Sequence, residues 1–200
     1  VPSCGGMSDR YTDDPLHLAT VSDPSSLKNI SCPIMFLSPA NDFHGRINDL
    51  PTAVEEIKTD RWRVSCAPHH NHQDTAPYEV GTQIWFDQYL KGGSQVPAGP
   101  KIDVKLAKGK SPEVTIVVDD SRKISSIDVF YTQQGQVDGK KDNSSNTKNR
   151  FWHHSPVGQN KGKWVAKLPV HSVDLPLWVY ANVSYELTNP IRGAGYYYGT

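Results

Sequence analysis

The sequence predicts an α/β region followed by an all-β sandwich. Up to residue 93, short continuous apolar runs alternate with stretches of helical period. From residue 101 onward, apolar and polar residues alternate with a period of two, which suits half-buried strands. Between them, residues 94–100 hold Pro97, Gly99 and Pro100, a linker composition. The expected division is 1–93, 94–100 and 101–200, with the last region cut short at its end.

Each element has its own signal. Pro33-Ile34-Met35-Phe36-Leu37-Ser38 is a continuous apolar run, as in a strand buried on both faces. Pro39-Ala40-Asn41-Asp42 is a turn cluster. Residues 50–59 suit a short helix with Pro51 in its first turn. Arg61-Trp62-Arg63-Val64-Ser65-Cys66-Ala67 is a second strand, and residues 69–73 form a polar loop. Asp74 or Thr75 can cap a helix that begins near Pro77. Val80, Ile84, Trp85 and Tyr89 make its apolar stripe, and Lys91-Gly92-Gly93 ends it. In the second region the alternating sets are Ile102, Val104 and Leu106; Val114, Ile116 and Val118; and Ile127, Val129 and Tyr131. Further strands are expected at 164–168 and 177–183, with no helix between Ile102 and Thr200. Residues 135–149, rich in Lys, Asp, Asn and Ser, are expected to be an exposed, mobile loop.

Composition excludes several classes. Lys plus Arg and Asp plus Glu are both 21, for a net charge of zero, so no basic stripe is present for nucleic acid. No apolar run is long enough for a membrane-spanning helix. Cys4, Cys32 and Cys66 are too few for a disulfide scaffold, and Cys32 and Cys66 are expected to be small buried residues. Residue 1 is Val and the chain ends in a strand-like Gly-Tyr-Tyr-Tyr-Gly-Thr, so a fragment of a longer protein is expected.

Two loops could carry chemistry. Asp42 follows the first buried strand, at the edge where open α/β sheets collect catalytic groups. His69-His70-Asn71-His72 follows the next strand and precedes a helix. A carboxylate can hold an imidazole in one tautomer and stabilise it when it charges, while the ring moves a proton for a nucleophile. His72 is the favoured base and His70 the second choice; Asp74 is read as a helix cap. His44, two residues past the acid, is a candidate substrate contact.

The strings VPSCGG, PIMFLSPANDFHGR, RVSCAPHHNHQD and TQIWFDQYLKGG, in this order, resemble the last third of an α/β-hydrolase. More narrowly, they resemble the acetyl-xylan-esterase and dienelactone-hydrolase-like group of esterases. The resemblance covers residues 1 to about 93. It implies the carboxy-terminal part of an α/β-hydrolase sheet, with Asp42 as the acid and the catalytic His within residues 68–73. It further implies a serine esterase acting on a carbohydrate or other small ester, with no metal or organic cofactor. LPLWVYANVSYELTNP resembles β-domains appended to such hydrolases, for which an immunoglobulin-like sandwich is expected. The chain contains no Gly-x-Ser-x-Gly elbow. The nucleophile is therefore expected in a missing amino-terminal half, and this chain alone is expected to be inactive.

Two other readings stand beside this one. His70-x-His72-x-Asp74 has a spacing suited to zinc, with His153, His154 or His171 as further ligands. Alternatively, Trp152, Trp164 and Trp178 could form an aromatic platform in a non-catalytic carbohydrate- or protein-binding module, although alternation with Val and Leu favours the core. Asn29, Asn143 and Asn182 head glycosylation sequons, which together with the esterase resemblance suggests a secreted or periplasmic protein.

Overall fold

The computed structural model describes residues 2, 13–42, 47–73, 75–135, 144–187, 192–193 and 196–197. The chain enters through two short helices that periodicity did not reveal, α1 (Pro15–Thr20) and α2 (Asp23–Leu27). Asp14 caps α1 by accepting from the Leu16 amide at 3.0 Å. Strand β1 (Ile34–Leu37) follows, then a 3-10 turn at Ile47–Asp49, helix α3 (Leu50–Glu56) and strand β2 (Trp62–Ser65). Helix α4 (Ala76–Lys91) closes this half. Its C-cap, Gly92, has φ 67°, a left-handed backbone that a side chain would strain.

β1 and β2 pair in parallel, from Ile34 opposite Trp62 to Leu37 opposite Ser65. β1 is buried along its whole length because its two faces serve two cores. Met35 and Leu37 pack with Tyr78, Val80, Ile84 and Trp85 of α4. Ile34 and Phe36 pack with Leu27, Leu50, Ala53 and Ile57. A strand sandwiched between helical layers needs an unbroken apolar sequence, and the run at 34–37 supplies it.

The second half is antiparallel. Its strands are β3 (Lys101–Lys105), β4 (Glu113–Val117), β5 (Ile124–Thr132), β6 (His153–Ser155), β7 (Val157–Asn160), β8 (Lys163–Lys167) and β9 (Trp178–Tyr185), with helix α5 (Ser144–Asn149) between β5 and β6. One sheet has the order β3-β4-β8-β7 and another the order β6-β5-β9. Val114, Ile116 and Ala166 of the first meet Val129 and Tyr131 of the second in one core. Lys161 and Gly162, both at positive φ, turn β7 tightly into β8. Short strands β10 (Arg192–Gly193) and β11 (Tyr196–Tyr197) pair with each other.

This architecture corrects the expected fold class. No α/β-hydrolase sheet is evident: among the described residues, the parallel sheet has two strands of four residues each. Most strands lie instead in small antiparallel sheets, and the chain is mixed α/β with few helices. The local signals for a buried strand and an amphipathic helix are the same in a large doubly covered sheet and in a two-stranded one. They therefore could not set the size of the sheet.

Three smaller expectations also change. Residues 144–149 are helical, although the whole of 135–149 was expected to be loop. Cys32 is exposed, since it lies in the bend before β1 rather than within the strand; Cys66 is buried, and Cys4 lies outside the described residues. No described helix is long and apolar enough to cross a membrane.

Candidate active site

The parallel ladder does not stop where the strands end. The Ser38 amide donates to Ser65 O, the Ala40 amide to Ala67 O and the Asn41 amide to His70 O, each at 2.9 Å. Two loops of unrelated sequence are thus zipped together beyond the carboxyl ends of β1 and β2. The Asp42 amide turns back to Pro39 O at 3.2 Å, which aims the Asp42 side chain across to the second loop. Tyr78 of α4 steadies that second loop by accepting at its hydroxyl oxygen from the Ala67 amide at 3.0 Å.

The zipping brings Asp42 and His72 together. His72 Nδ1 lies 3.1 Å from Asp42 Oδ2 and 3.2 Å from Oδ1, so the ring N–H is shared by both carboxylate oxygens. The Asp42 side chain is 0% exposed, whereas that of His72 is 47% exposed. A carboxylate withdrawn from water can hold in one orientation an imidazole whose other edge still reaches water. His70 turns its Nδ1 onto Pro68 O at 2.8 Å, and His69 adopts φ 60° with its ring 5.1 Å from that of Phe151. The second-choice base, His70, is thus occupied at that nitrogen by a main-chain carbonyl. His44 lies outside the described residues.

The zinc reading finds no assembled site. Among the described residues, no group of three His, Cys, Asp or Glu side chains is placed to hold a metal ion. Asp74, its third expected ligand, lies outside the described residues. The aromatic platform is not formed by its three tryptophans either: Trp152 is 2% exposed and packs with Ala40 and Cys66. Trp164 and Trp178 are half-buried, Trp164 against the β core and Trp178 against the Trp152 cluster.

Sequence reasoning missed the residues that surround the pair from the second half. Asn41 Nδ2 donates to Thr147 O at 3.0 Å, Lys148 O at 3.3 Å and Arg150 O at 2.5 Å. Buried Arg150 donates through Nε to Gln134 O at 3.0 Å and through Nη1 to Asn48 Oδ1 at 2.7 Å, with its guanidinium over Trp178. Asn182 of β9 donates to Cys66 O at 2.7 Å, so this sequon asparagine spends its amide nitrogen inside the molecule. Nothing in the local sequence marks these contacts, since each joins segments far apart in the chain.

Burial shapes the chemistry at this junction. Burial pushes the Cys66 thiol up to about 12, against a smaller opposing effect of the nearby Tyr180 hydroxyl. The Tyr180 hydroxyl is raised as well, by burial first and by Cys66 second. Cys66 is therefore an inert thiol rather than a nucleophile. A cleft of about 630 Å³ opens between the halves, bordered by Cys66, His70, Tyr78, Asp128 and Asn182. An apolar groove of about 700 Å³ lies at the far end of the β region, between Val104 and Val179. Neither lining includes Asp42 or His72, so cavity size alone does not find the pair.

No family model, curated protein or solved structure matches this chain.

Proposed function

We propose that Asp42 and His72 are the acid and base of a serine-type carboxylic ester hydrolase acting on acyl groups carried by a carbohydrate. The observation that carries this reading is the fully buried Asp42 carboxylate accepting from His72 Nδ1 at 3.1 Å. With its Nδ1 proton committed to Asp42, neutral His72 is basic at Nε2. There it takes the proton of an attacking hydroxyl and returns it to the departing alkoxide. The buried carboxylate stabilises the imidazolium formed in between, in surroundings where water screens the attraction weakly. The ester class is supported by the likeness of the Asp42 and His72 loops to those of carbohydrate esterases. No residue of this chain is assigned as the nucleophile.

The full-length protein tests the proposal. Its hydrolysis of p-nitrophenyl acetate and of acetylated xylo-oligosaccharides is measured with and without His72→Ala. The substitution is expected to lower kcat by about 10³-fold or more, as loss of a general base does. An unchanged rate on both esters rejects the assignment.

A further inference from the structure

The residue before the acid is as deeply placed as the acid itself. Asn41 is buried, and its carboxamide nitrogen faces three main-chain carbonyls at the end of α5, those of Thr147, Lys148 and Arg150. The last carbonyls of a helix have no partner within it and carry its partial negative charge. The Asn41 amide supplies a donor to them from the other half of the molecule. Three acceptors around one nitrogen also settle which way the carboxamide points.

Two further observations bear on what this contact does. Asn41 Oδ1 is buried with no hydrogen-bond partner among the described residues, so the side chain is not optimised for stability alone. Its main-chain amide is held by His70 O, two residues before His72. Asn41 is therefore gripped on its backbone by the His loop and on its side chain by the β region. Asp42 is the next residue and has little freedom left once Asn41 is held at both points. Arg150 strengthens the same seam by reaching Asn48 on the far side of the acid loop.

We propose that Asn41 is a positioning residue that clamps the end of α5 to the acid loop and so sets the Asp42 carboxylate against His72. The inference rests on the reading of Asp42 and His72 as a reactive pair. The β region is then part of the machinery that orients the pair, rather than an appended module.

The test reads the His72 ring directly by ¹⁵N-detected NMR of this chain, under conditions where the imidazole is neutral. In the unaltered chain His72 is expected to show one tautomer, with the proton on Nδ1. Asp42→Asn is expected to abolish that signature, and Asn41→Ala is expected to replace it with an averaged one while the backbone spectrum of β1, β2 and α4 stays in place. If Asn41→Ala keeps the unaltered ring signature, the positioning role is wrong and the pair still stands. If Asp42→Asn keeps it too, the pair itself is wrong. Should Asn41→Ala fail to fold, solvent exchange of the side-chain amides in the unaltered chain decides. The Asn41 amide protons are expected to exchange at least about tenfold more slowly than those of exposed Asn29, and equal rates overturn the clamp.

Discussion

Among the described residues, each half of this molecule has a histidine–carboxylate pair, and the two separations are nearly the same. His72 Nδ1 stands 3.1 Å from Asp42, and His154 Nε2 stands 3.0 Å from Asp128. Their surroundings differ. The Asp42 carboxylate is 0% exposed, with loops zipped around it and the β region packed behind Asn41. The Asp128 carboxylate is 35% exposed on an open sheet, where it also accepts from Ser126 Oγ at 2.9 Å. Distance alone therefore says little about what an ion pair or hydrogen bond can do. An exposed pair contributes about 0–1 kcal/mol and competes with water, whereas a buried acceptor holds its donor in one orientation.

The largest expected contrast is catalytic. In the full-length protein, Asp42→Asn is expected to lower ester hydrolysis by about 10⁴-fold through the wrong imidazole tautomer, while Asp128→Asn leaves it within about twofold. Equal losses from the two substitutions would erase the distinction between the pairs.

The next effect concerns the wall behind the buried pair. Trp152 fills the junction against Ala40, Cys66 and Tyr180, with its ring centroid 4.9 Å from that of Tyr180. Trp152→Ala is expected to cost about 3–5 kcal/mol in urea unfolding. The signals of both halves should shift to the same lower midpoint. Separate transitions would show that the halves do not support each other.

Alkaline pH provides a third probe. The Cys66 thiol titrates near 9.0 when unfolded and near 12 in the folded protein. The unfolded chain releases this proton first, so stability is intact below pH 9 and falls as pH rises toward 12. The raised Tyr180 hydroxyl acts in the same direction. Cys66→Ala is expected to flatten the fall in melting temperature between these limits. A thiol reagent at pH 8 should label exposed Cys32 quickly and Cys66 at the rate of unfolding. Rapid labelling of Cys66 in the folded chain would mean that the junction is open.

The smallest effect belongs to the exposed pair. His154→Ala is expected to change stability by less than about 1 kcal/mol. A larger loss would show that the β6–β5 surface is more constrained than its exposure suggests.

Much of the first half was legible because its signals are local. The run at 34–37 is apolar on both faces because helices cover both, and β1 formed there. Lys91-Gly92-Gly93 carried a helix stop, and α4 ends on Gly92 in the left-handed region. Asp42 and His72 each follow a strand in the sequence, and they lie in contact because those strands are parallel neighbours. The large hydrolase sheet was a wrong inference from the same signals, which repeat identically in sheets of any size. Helix α5 escaped notice because its sequence, Ser-Ser-Asn-Thr-Lys-Asn, has no apolar stripe.

The order of residues by itself determined which segments could be strands and helices, where the chain turns, and which two loops offer a carboxylate and an imidazole. These follow from side-chain shape and hydrophobic period over a few residues. Only the tertiary structure decided how few strands the parallel sheet has, which histidine meets Asp42, and that the β region grips the acid loop through Asn41 and Arg150. The Asn41 and Arg150 contacts join groups more than a hundred residues apart, and those of Asn41 run to main-chain carbonyls that every residue type provides. No sequence pattern distinguishes one such carbonyl from another; burial and geometry do.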